Sequence, residues 1–256
     1  MSEFVTFHDL KNKSVFITGG GAGIGASLTD GFMAQGANVA FVQRSDSVEF
    51  VAEMTEKHGR APLFIKCDVT NVVALQAAME QADNVHGPIT VVVNNAANDT
   101  RQTIAEITPE KWDQGMDVNL RPHFFTAQAA AEGMKAAGGG AIINFSSISY
   151  MMGGAGYAAY VTSKAAITGL TRALARELGP DHIRVNALMP GWVLTKRQMD
   201  LWASEEALAA HLEKQCLKEH LKERDIVDAT LFLASEASRM MTGQALVVDG
   251  GVVVTG

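Results

Sequence analysis

The stretch TGGGAGIG, from Thr18 to Gly25, is the most informative about the fold of this chain, because it places five glycines in eight residues. Each glycine costs about 0.5–1 kcal/mol in a regular element, so a cluster needs a structural reason. The preceding SVFIT (Ser14–Thr18) is typical of a strand, and the following residues place Ile24, Leu28 and Phe32 on one helix face. A glycine turn there exposes N–H groups at a helix N-terminus, which favour phosphate. The spacing alone does not separate a phosphate-binding turn from an ordinary tight turn.

Composition narrows the class of protein. The 256 residues are 47% hydrophobic, enough to bury one substantial core, and no linker or repeat divides them. The net charge of −7, without a Lys/Arg cluster, argues against nucleic acid. No apolar run approaches the roughly 18 residues of a membrane span, and the N-terminus lacks a signal pattern. We expect a soluble cytoplasmic protein of one domain (residues 1–256).

The two cysteines, Cys67 and Cys216, suit a reducing compartment, and neither has metal-ligand spacing. We expect both to be buried or inert, and we expect no metal site.

Strand-like and helix-like segments alternate along the chain, which predicts parallel strands joined by crossover helices. Strands are predicted near residues 14–18, 38–42, 62–66, 90–93, 140–145, 182–188 and 245–249. One long helix is predicted to start with Thr108 as N-cap and Pro109 at its first position, and to kink beside Asn119 because of Pro122. Residues 189–224 follow the carboxyl end of a strand, where such sheets bind ligands, and are predicted to form a lid.

Tyr160 and Lys164 are four residues apart and share a helix face. A phenol titrates near ~10, so a base near neutrality needs its pKa lowered by roughly 3 units. A nearby ammonium acts in that direction. Chance placement of both residues on one face is the alternative. Ser147, thirteen residues earlier, is explained equally well by turn chemistry.

The order of motifs resembles the short-chain dehydrogenase/reductase family from residue 18 to residue 251. The motifs are the glycine turn, NNAA (Asn94–Ala97), VNL (Val118–Leu120), Ser147 before YVTSK, PGWVLT (Pro190–Thr195) and TGQALVVDGG (Thr242–Gly251). Ala97 departs from the family, which usually has glycine there. The resemblance implies an α/β fold: a single Rossmann-type doubly wound domain with a seven-stranded parallel sheet and helices on both faces.

The resemblance also implies the site. The catalytic tetrad would be Asn119, Ser147, Tyr160 and Lys164. Tyr160 would be the general base, supported by Lys164, Ser147 would bind the substrate oxygen, and Asn119 would hold a water beside Lys164. The cofactor would be bound by Gly19, Gly23, Ile24, Gly25, Gln43, Arg44, Asp68, Val69, Asn94, Ala96, Tyr160, Lys164, Pro190, Val193 and Thr195. Helices 109–136 and 156–178 resemble the family's oligomer-forming pair, so a homotetramer or homodimer is expected.

The end of the second strand bears on the choice of dinucleotide. NAD enzymes usually place a carboxylate there to bind the ribose 2′-hydroxyl, but this chain has Gln43. Arg44 can pair with a 2′-phosphate, which a carboxylate would repel. We therefore expect NADP, with NAD also accepted. The alternative is that Arg44 stacks on adenine or faces solvent.

Several stretches are similar to bacterial aldose 1-dehydrogenases, which oxidise the anomeric hydroxyl of a free sugar to a lactone. They include NNAANDTR, ARELGPDHIRV and PGWVLTKRQ. The implied substrate is a pentose or hexose such as D-xylose, L-arabinose, D-galactose or L-fucose. Substrate contacts are expected from Asn98, Ser147, Ser149, Tyr160, Trp192 and Arg197. Asp99, Arg101, Lys196 and Gln198 are further candidates for hydrogen bonds to sugar hydroxyls, and Met151 and Met152 are expected as pocket wall or core.

Two other functions remain open at this point. One is a 3-oxoacyl thioester or other carbonyl reductase of the same family, which would want an apolar channel or a basic entrance. The other is a dinucleotide-binding sensor without turnover. The polar NDTR and TKRQ segments favour the sugar, and the Tyr160/Lys164 pair argues against a pure binder.

Overall fold

A computed structural model describes residues 4–254 and contains one seven-stranded sheet. The strands are β1 (Ser14–Thr18), β2 (Asn38–Gln43), β3 (Leu63–Lys66), β4 (Val91–Asn94), β5 (Gly140–Phe145), β6 (Ile183–Pro190) and β7 (Ala245–Val248). Every neighbouring pair is parallel, in the order β3-β2-β1-β4-β5-β6-β7. The predicted parallel sheet is therefore confirmed. The order reverses between β1 and β4, and ligands bind at the carboxyl ends of the strands at such a point.

The helices cover both faces of the sheet. They are α1 (Gly23–Ala34), α2 (Val48–His58), α3 (Val72–His86), α4 (Pro109–Asn119), α5 (Arg121–Ala136), α6 (Ala158–Leu178), α7 (Lys196–Leu201), α8 (Glu205–Lys214) and α9 (Glu223–Ala234). Alternate residues of β1 enter different cores: Val15 and Ile17 pack with residues of α1 and α9, whereas Phe16 packs with residues of α3 and α5. Burial on both faces explains why these strands are continuously apolar.

The long helix predicted over residues 109–136 is two helices. Thr108 caps α4 as predicted, its hydroxyl accepting from the N–H of Lys111 at 3.3 Å. Leu120 leaves the helical conformation (φ −123°, ψ −52°), and α5 begins directly after it. Pro122 lies in the first turn of α5, where its missing N–H has no intrahelical partner to lose. The expected kink is therefore a break, and Pro122 helps a new helix to start.

Cys67 is buried as expected, but Cys216 is exposed and donates from Sγ to the Gly251 carbonyl at 3.2 Å. Its inertness consequently does not follow from burial and stays a prediction. Within residues 4–254, no helix combines the length and apolarity that crossing a bilayer would require.

Candidate active site

The glycine turn lies between β1 and α1 at the point where the strand order reverses. Gly19 and Gly23 have φ of +70° and +51°, which side chains rarely adopt. A Cβ at Gly25 would overlap the carbonyl oxygen of Gly19. The first turn of α1 carries no acidic residue, and Gly23, Ile24 and Gly25 of that turn line the neighbouring cavity. This geometry fits a dinucleotide pyrophosphate.

The cavity beside this turn has a volume of about 740 Å³ and is called the larger cavity below. Most of the predicted cofactor residues line it: Gly19, Gly23, Ile24, Gly25, Gln43, Arg44, Asp68, Val69, Ala96, Tyr160 and Thr195. Pro190, Val193 and Lys164 instead line an adjoining cavity of about 500 Å³, the smaller cavity. Residues such as Ile24, Tyr160 and Thr195 line both cavities, so Tyr160 lies where the two cavities meet.

Asn94 is a correction to the predicted cofactor set. Its side chain is fully buried, donating to Asn144 Oδ1 at 3.0 Å and accepting from Thr126 Oγ1 at 2.8 Å. Asn95 lines both cavities instead, and its Nδ2 donates to the carbonyls of Thr18 and Gly19 at 3.1 and 3.2 Å. Asn94 is the last residue of β4, so consecutive asparagines point in different directions. The end of β4 at Asn94 is the feature that could have predicted Asn95, the first residue after the strand, as the cavity residue.

The end of β2 carries the groups expected to distinguish the two dinucleotides. Gln43 Oε1 accepts from the N–H of Gly21 at 3.0 Å, so this amide braces the glycine turn. Arg44 is 86% exposed, with Nη1 4.0 Å from Asp68 Oδ2. The carboxylate of Asp68 accepts hydrogen bonds from the backbone and side chain of Thr70, which hold its pKa below the ordinary range. Arg44 is therefore free to reach a ligand at the rim of the larger cavity.

Ser147, Tyr160 and Lys164 come together in the smaller cavity, as the resemblance implied. Lys164 is 1% exposed, and its Nζ lies 5.3 Å from the centroid of the Tyr160 ring. The same Nζ donates to the Phe145 carbonyl at 2.8 Å, which ties α6 to the end of β5. Ser147 lies two residues after the end of this strand, and its Oγ accepts from the N–H of Ser149 at 3.1 Å.

The electrostatics differ from the expectation of a lowered phenol pKa. Burial raises the pKa of Tyr160 above its ordinary value, and hydrogen bonding to Ser147 and the charge of Arg101 act in the opposite direction. Burial also lowers the pKa of Lys164 to about 7, against the charge of Asp99. Removing both groups from water disfavours both charged forms. Ser147 and Arg101 favour the phenolate but do not offset the effect of burial on the pKa of Tyr160.

Asn119 lies apart from the other three members of the predicted tetrad. It is buried and outside the lining of both cavities. Its Oδ1 accepts from the N–H of Asn98 at 2.8 Å, and its Nδ2 donates to the carbonyls of Asn98 and Gly115 at 3.0 Å. The side chain thus holds the loop after β4, and its role beside Lys164 stays a prediction.

The predicted substrate residues divide between the two cavities. Ser149 and Trp192 line the smaller cavity with Ser147 and Tyr160. Asn98 and Arg197 line the larger cavity, on the cofactor side, so neither faces the space assigned to substrate. The Nη2 of Arg197 pairs with Asp99 Oδ1 at 3.0 Å, and contact of Arg197 with substrate stays a prediction.

Four aromatic residues of the smaller cavity were not predicted: Phe145, Tyr157, Trp202 and His211. His211 packs edge-on against Trp192, with ring centroids 5.3 Å apart. Trp192 Nε1 donates to Gln198 Oε1 at 3.0 Å, which leaves the tryptophan ring as the surface available to a ligand. The sequence offered little signal for Trp202 and His211, because residues 189–224 lack a clear periodicity.

The family follows from comparison with known proteins. Residues 19–253 match the family model described as enoyl-(acyl carrier protein) reductase, which belongs to the short-chain dehydrogenases/reductases. The chain is a short-chain dehydrogenase/reductase. This short-chain dehydrogenase/reductase is an enzyme, an NAD(P)-dependent oxidoreductase that acts on a small molecule.

Similar proteins carry consistent names. The chain is 48% identical to the "Probable galactose dehydrogenase GalD" of Rhizobium meliloti (strain 1021), covering 96% of this chain and 97% of that protein. It is 44% identical to the D-xylose 1-dehydrogenase of Caulobacter vibrioides (strain NA1000 / CB15N), with coverage of 96% and 97%. A blue fluorescent protein from a metagenomic library, solved in complex with NADPH, has a TM-score of 0.88 and 34% identity, covering 96% of this chain and all of the other.

Proposed function

We propose that the protein is an NAD(P)-dependent aldose 1-dehydrogenase, which oxidises the anomeric C1 hydroxyl of a pentose or hexose to an aldonolactone. The observation that carries the proposal is that Ser147, Tyr160 and Lys164 line one cavity together and that Tyr160 also lines the adjoining dinucleotide-sized cavity. The names of the galactose and D-xylose dehydrogenases that resemble it support a sugar as substrate.

The chemistry removes a proton from the C1 hydroxyl and a hydride from C1, so that the C1–O bond becomes a carbonyl. When bound, NAD(P) accepts the hydride. Tyr160, in its phenolate form, takes this proton as general base, because its side chain lies at the junction of the two cavities. Ser147, one of the groups that favour the phenolate, also binds the substrate oxygen and keeps it within reach of the phenol.

Lys164 assists Tyr160 by charge and by position. Its ammonium, anchored on the Phe145 carbonyl, faces the tyrosine ring and favours the phenolate when protonated. The pKa of Lys164, lowered to about 7 by burial, lets this amine gain and lose a proton near neutrality. It can therefore pass on the proton that Tyr160 receives.

The lining of the smaller cavity suits a sugar. The Oγ of Ser149 is buried and has no hydrogen-bond partner within residues 4–254, so a substrate hydroxyl can satisfy it. Trp192 offers a ring face against which the C–H surface of a pyranose can pack. A cavity of about 500 Å³ has room for a monosaccharide.

We also propose a preference for NADP over NAD. Gln43 brings no carboxylate to the end of β2, and the exposed guanidinium of Arg44 lies at the rim of the larger cavity. A 2′-phosphate would pair with this guanidinium in competition with the Asp68 carboxylate, which lies 4.0 Å from it.

The proposal extends to the organisation of the protein. Residues 189–224, which contain α7 and α8, act as a substrate lid on a single cytoplasmic domain and are called the lid segment below. Helices α4, α5 and α6 would join copies into a homotetramer or homodimer. Light scattering after size-exclusion chromatography distinguishes these two states from a monomer.

The function is tested with a panel of pentoses and hexoses and both cofactors, read as absorbance at 340 nm. We expect turnover of at least one aldose, and loss of turnover by about 10²–10⁴-fold in Tyr160→Phe with cofactor affinity retained. Tyr150→Phe, which changes a tyrosine outside both cavities, is the matched control. Reduction of a 3-oxoacyl thioester, with no aldose turned over, would replace the proposal by the reductase alternative.

A further inference from the structure

Arg101 is held between two aromatic rings from different parts of the chain. Its guanidinium carbon lies 3.9 Å from the centroid of the Tyr157 ring and 4.9 Å from the Trp202 ring. Tyr157 directly precedes α6, whereas Trp202 follows α7 in the lid segment. Within residues 4–254, no carboxylate pairs with Arg101, so ring contacts define its position. Guanidinium groups stack on aromatic faces in this way.

The contacts continue to the catalytic residue. Tyr157 stacks on Tyr160, with centroids 5.6 Å apart and ring planes 19° from parallel. Trp202, Arg101, Tyr157 and Tyr160 therefore form a series of consecutive contacts from the lid segment to the phenol. All four line the smaller cavity.

The middle of this series is anchored to the scaffold. The N–H of Gln102, next to Arg101, donates to the Gly156 carbonyl at 2.7 Å, and Gln102 forms a parallel bridge with Tyr157. The side chain of Tyr157 is buried and packs against the backbone of Gly154. Arg101 therefore contacts the lid segment through Trp202 and a fixed part of the scaffold through Tyr157.

A second contact joins the same loop to the lid segment. The carboxylate of Asp99 binds Arg197 at 3.0 Å and Gln198 Nε2 at 3.1 Å. These polar contacts involve α7, which ends one residue before Trp202. The loop after β4 thus contacts α7 through Asp99 and the residue that follows α7 through Arg101.

We propose that Arg101 is a positioning residue that transmits closure of the lid segment to the phenol of Tyr160 through Tyr157. The inference rests on the proposed function, in which Tyr160 is the general base. With the lid segment closed, Trp202 and Tyr157 hold the guanidinium in place, and the stacked Tyr157 holds the phenol beside Ser147. Opening of the lid segment removes the Trp202 ring from Arg101, so that Arg101, Tyr157 and Tyr160 are held less firmly.

Charge gives Arg101 a second effect on the same phenol. The groups that act electrostatically on Tyr160 are Ser147 and Arg101, which favour the phenolate, and Asp99 and Tyr157, which disfavour it. Lys164 faces the ring from α6. Without the Arg101 guanidinium, less positive charge offsets the effect of Asp99 on Tyr160, so the pKa of Tyr160 should rise further.

The test compares Arg101→Ala, Arg101→Lys and Trp202→Ala for kcat, KM and the pH profile of kcat, with the best aldose and NADP. Arg101→Ala is expected to lower kcat about 10-fold, to leave KM within about 2-fold, and to move the acid limb of the profile to higher pH. Arg101→Lys should restore the acid limb but not kcat, because an ammonium has the charge without the planar face. Trp202→Ala should lower kcat and leave the acid limb in place.

Two exposed residues outside both cavities provide controls: Met199→Ala, on α7, and Arg239→Ala. Neither should change kcat or the pH profile. An increase in KM alone in Arg101→Ala would mean that Arg101 binds substrate directly, which overturns the inference. An unchanged acid limb in that variant overturns it as well.

A readout independent of turnover separates this inference from the proposed function. Lys196 and Arg197 lie in the lid segment, and trypsin cleaves after them when α7 opens. With NADP present, Arg101→Ala and Trp202→Ala should be cleaved faster than the unaltered protein, and Met199→Ala at its rate. Equal rates overturn the contact between Arg101 and the lid segment. Absence of aldose turnover in the unaltered protein would instead refute the proposed function.

Discussion

Replacing Gly25 by alanine is expected to weaken both the binding of NAD(P) and the stability of the fold. The new Cβ would overlap the carbonyl oxygen of Gly19 and lie 2.8 Å from its carbonyl carbon. Carbon atoms in favourable contact are about 3.5–4.0 Å apart, so these two must separate by roughly 1 Å. Asn95 Nδ2 also lies 2.8 Å from the new Cβ, but the nearest atom is the backbone oxygen of Gly19, so rotation of the Asn95 side chain cannot relieve the overlap.

The magnitude follows from what must move. Overpacking of this kind costs about 1–3 kcal/mol, which for a chain of this size lowers Tm by about 2–12 °C. Displacing the turn from the start of α1 also misdirects the N–H groups that face the larger cavity. Losing one hydrogen bond to a charged phosphate costs about 1.5–3 kcal/mol, so Kd for NADP should rise about 10- to 100-fold.

The assay is Tm by calorimetry and Kd by isothermal titration. Gly133→Ala is the matched control, because a Cβ there meets only Pro88 Cβ at 3.8 Å, an ordinary contact. That variant should be unchanged in Kd and slightly more stable, since alanine is favoured over glycine inside a helix. A Gly25→Ala protein with unaltered Kd would refute the assignment of this turn to pyrophosphate.

Two further predictions concern charge. Arg44→Asp should raise the NAD/NADP ratio of kcat/KM about 10-fold. This effect is smaller than the one expected for a buried ion pair, because Arg44 is 86% exposed. An unchanged ratio would show that Arg44 does not reach the 2′ position. Burial, with the charge of Lys164, lowers the pKa of His123 from 6.5 to about 3, against the opposing effect of the Phe145 and Asn94 carbonyls. As the pH falls below about 6.5, His123 becomes protonated in the unfolded chain but stays neutral in the folded chain. The free energy of unfolding therefore falls by up to about 1.4 kcal/mol per pH unit. Urea unfolding at pH 7 and pH 5 should show this loss in the unaltered protein and a smaller one in His123→Leu, whereas parallel losses would contradict the burial of a neutral imidazole.

Local patterns predicted the sheet with little error. Each predicted strand agrees with the observed one to within two residues, because glycines, prolines and apolar runs act over a few positions. The same patterns failed where neighbouring residues differ only in direction. Asn94 and Asn95 are identical in type, and the last hydrogen bond of β4 decides which one enters the cavity.

The break at Leu120 shows a related limit. Pro122 signals an interruption, but the choice between a kink and a new helix depends on packing. Asn119, the last residue of α4, is buried, and its amide binds the backbone of Asn98, which belongs to a different segment. A contact between distant segments therefore fixes the geometry that follows the proline.

What the sequence by itself determined is the order of strands and helices, the position of the glycine turn, and the face that Tyr160 and Lys164 share, because each depends on residues within a few turns of one another. Only the tertiary structure decided that burial raises the pKa of Tyr160 and that Arg101 lies between Tyr157 and Trp202. Desolvation and ring stacking depend on which segments pack together. That packing is set by the whole hydrophobic core and leaves no periodic pattern in any one stretch of the chain.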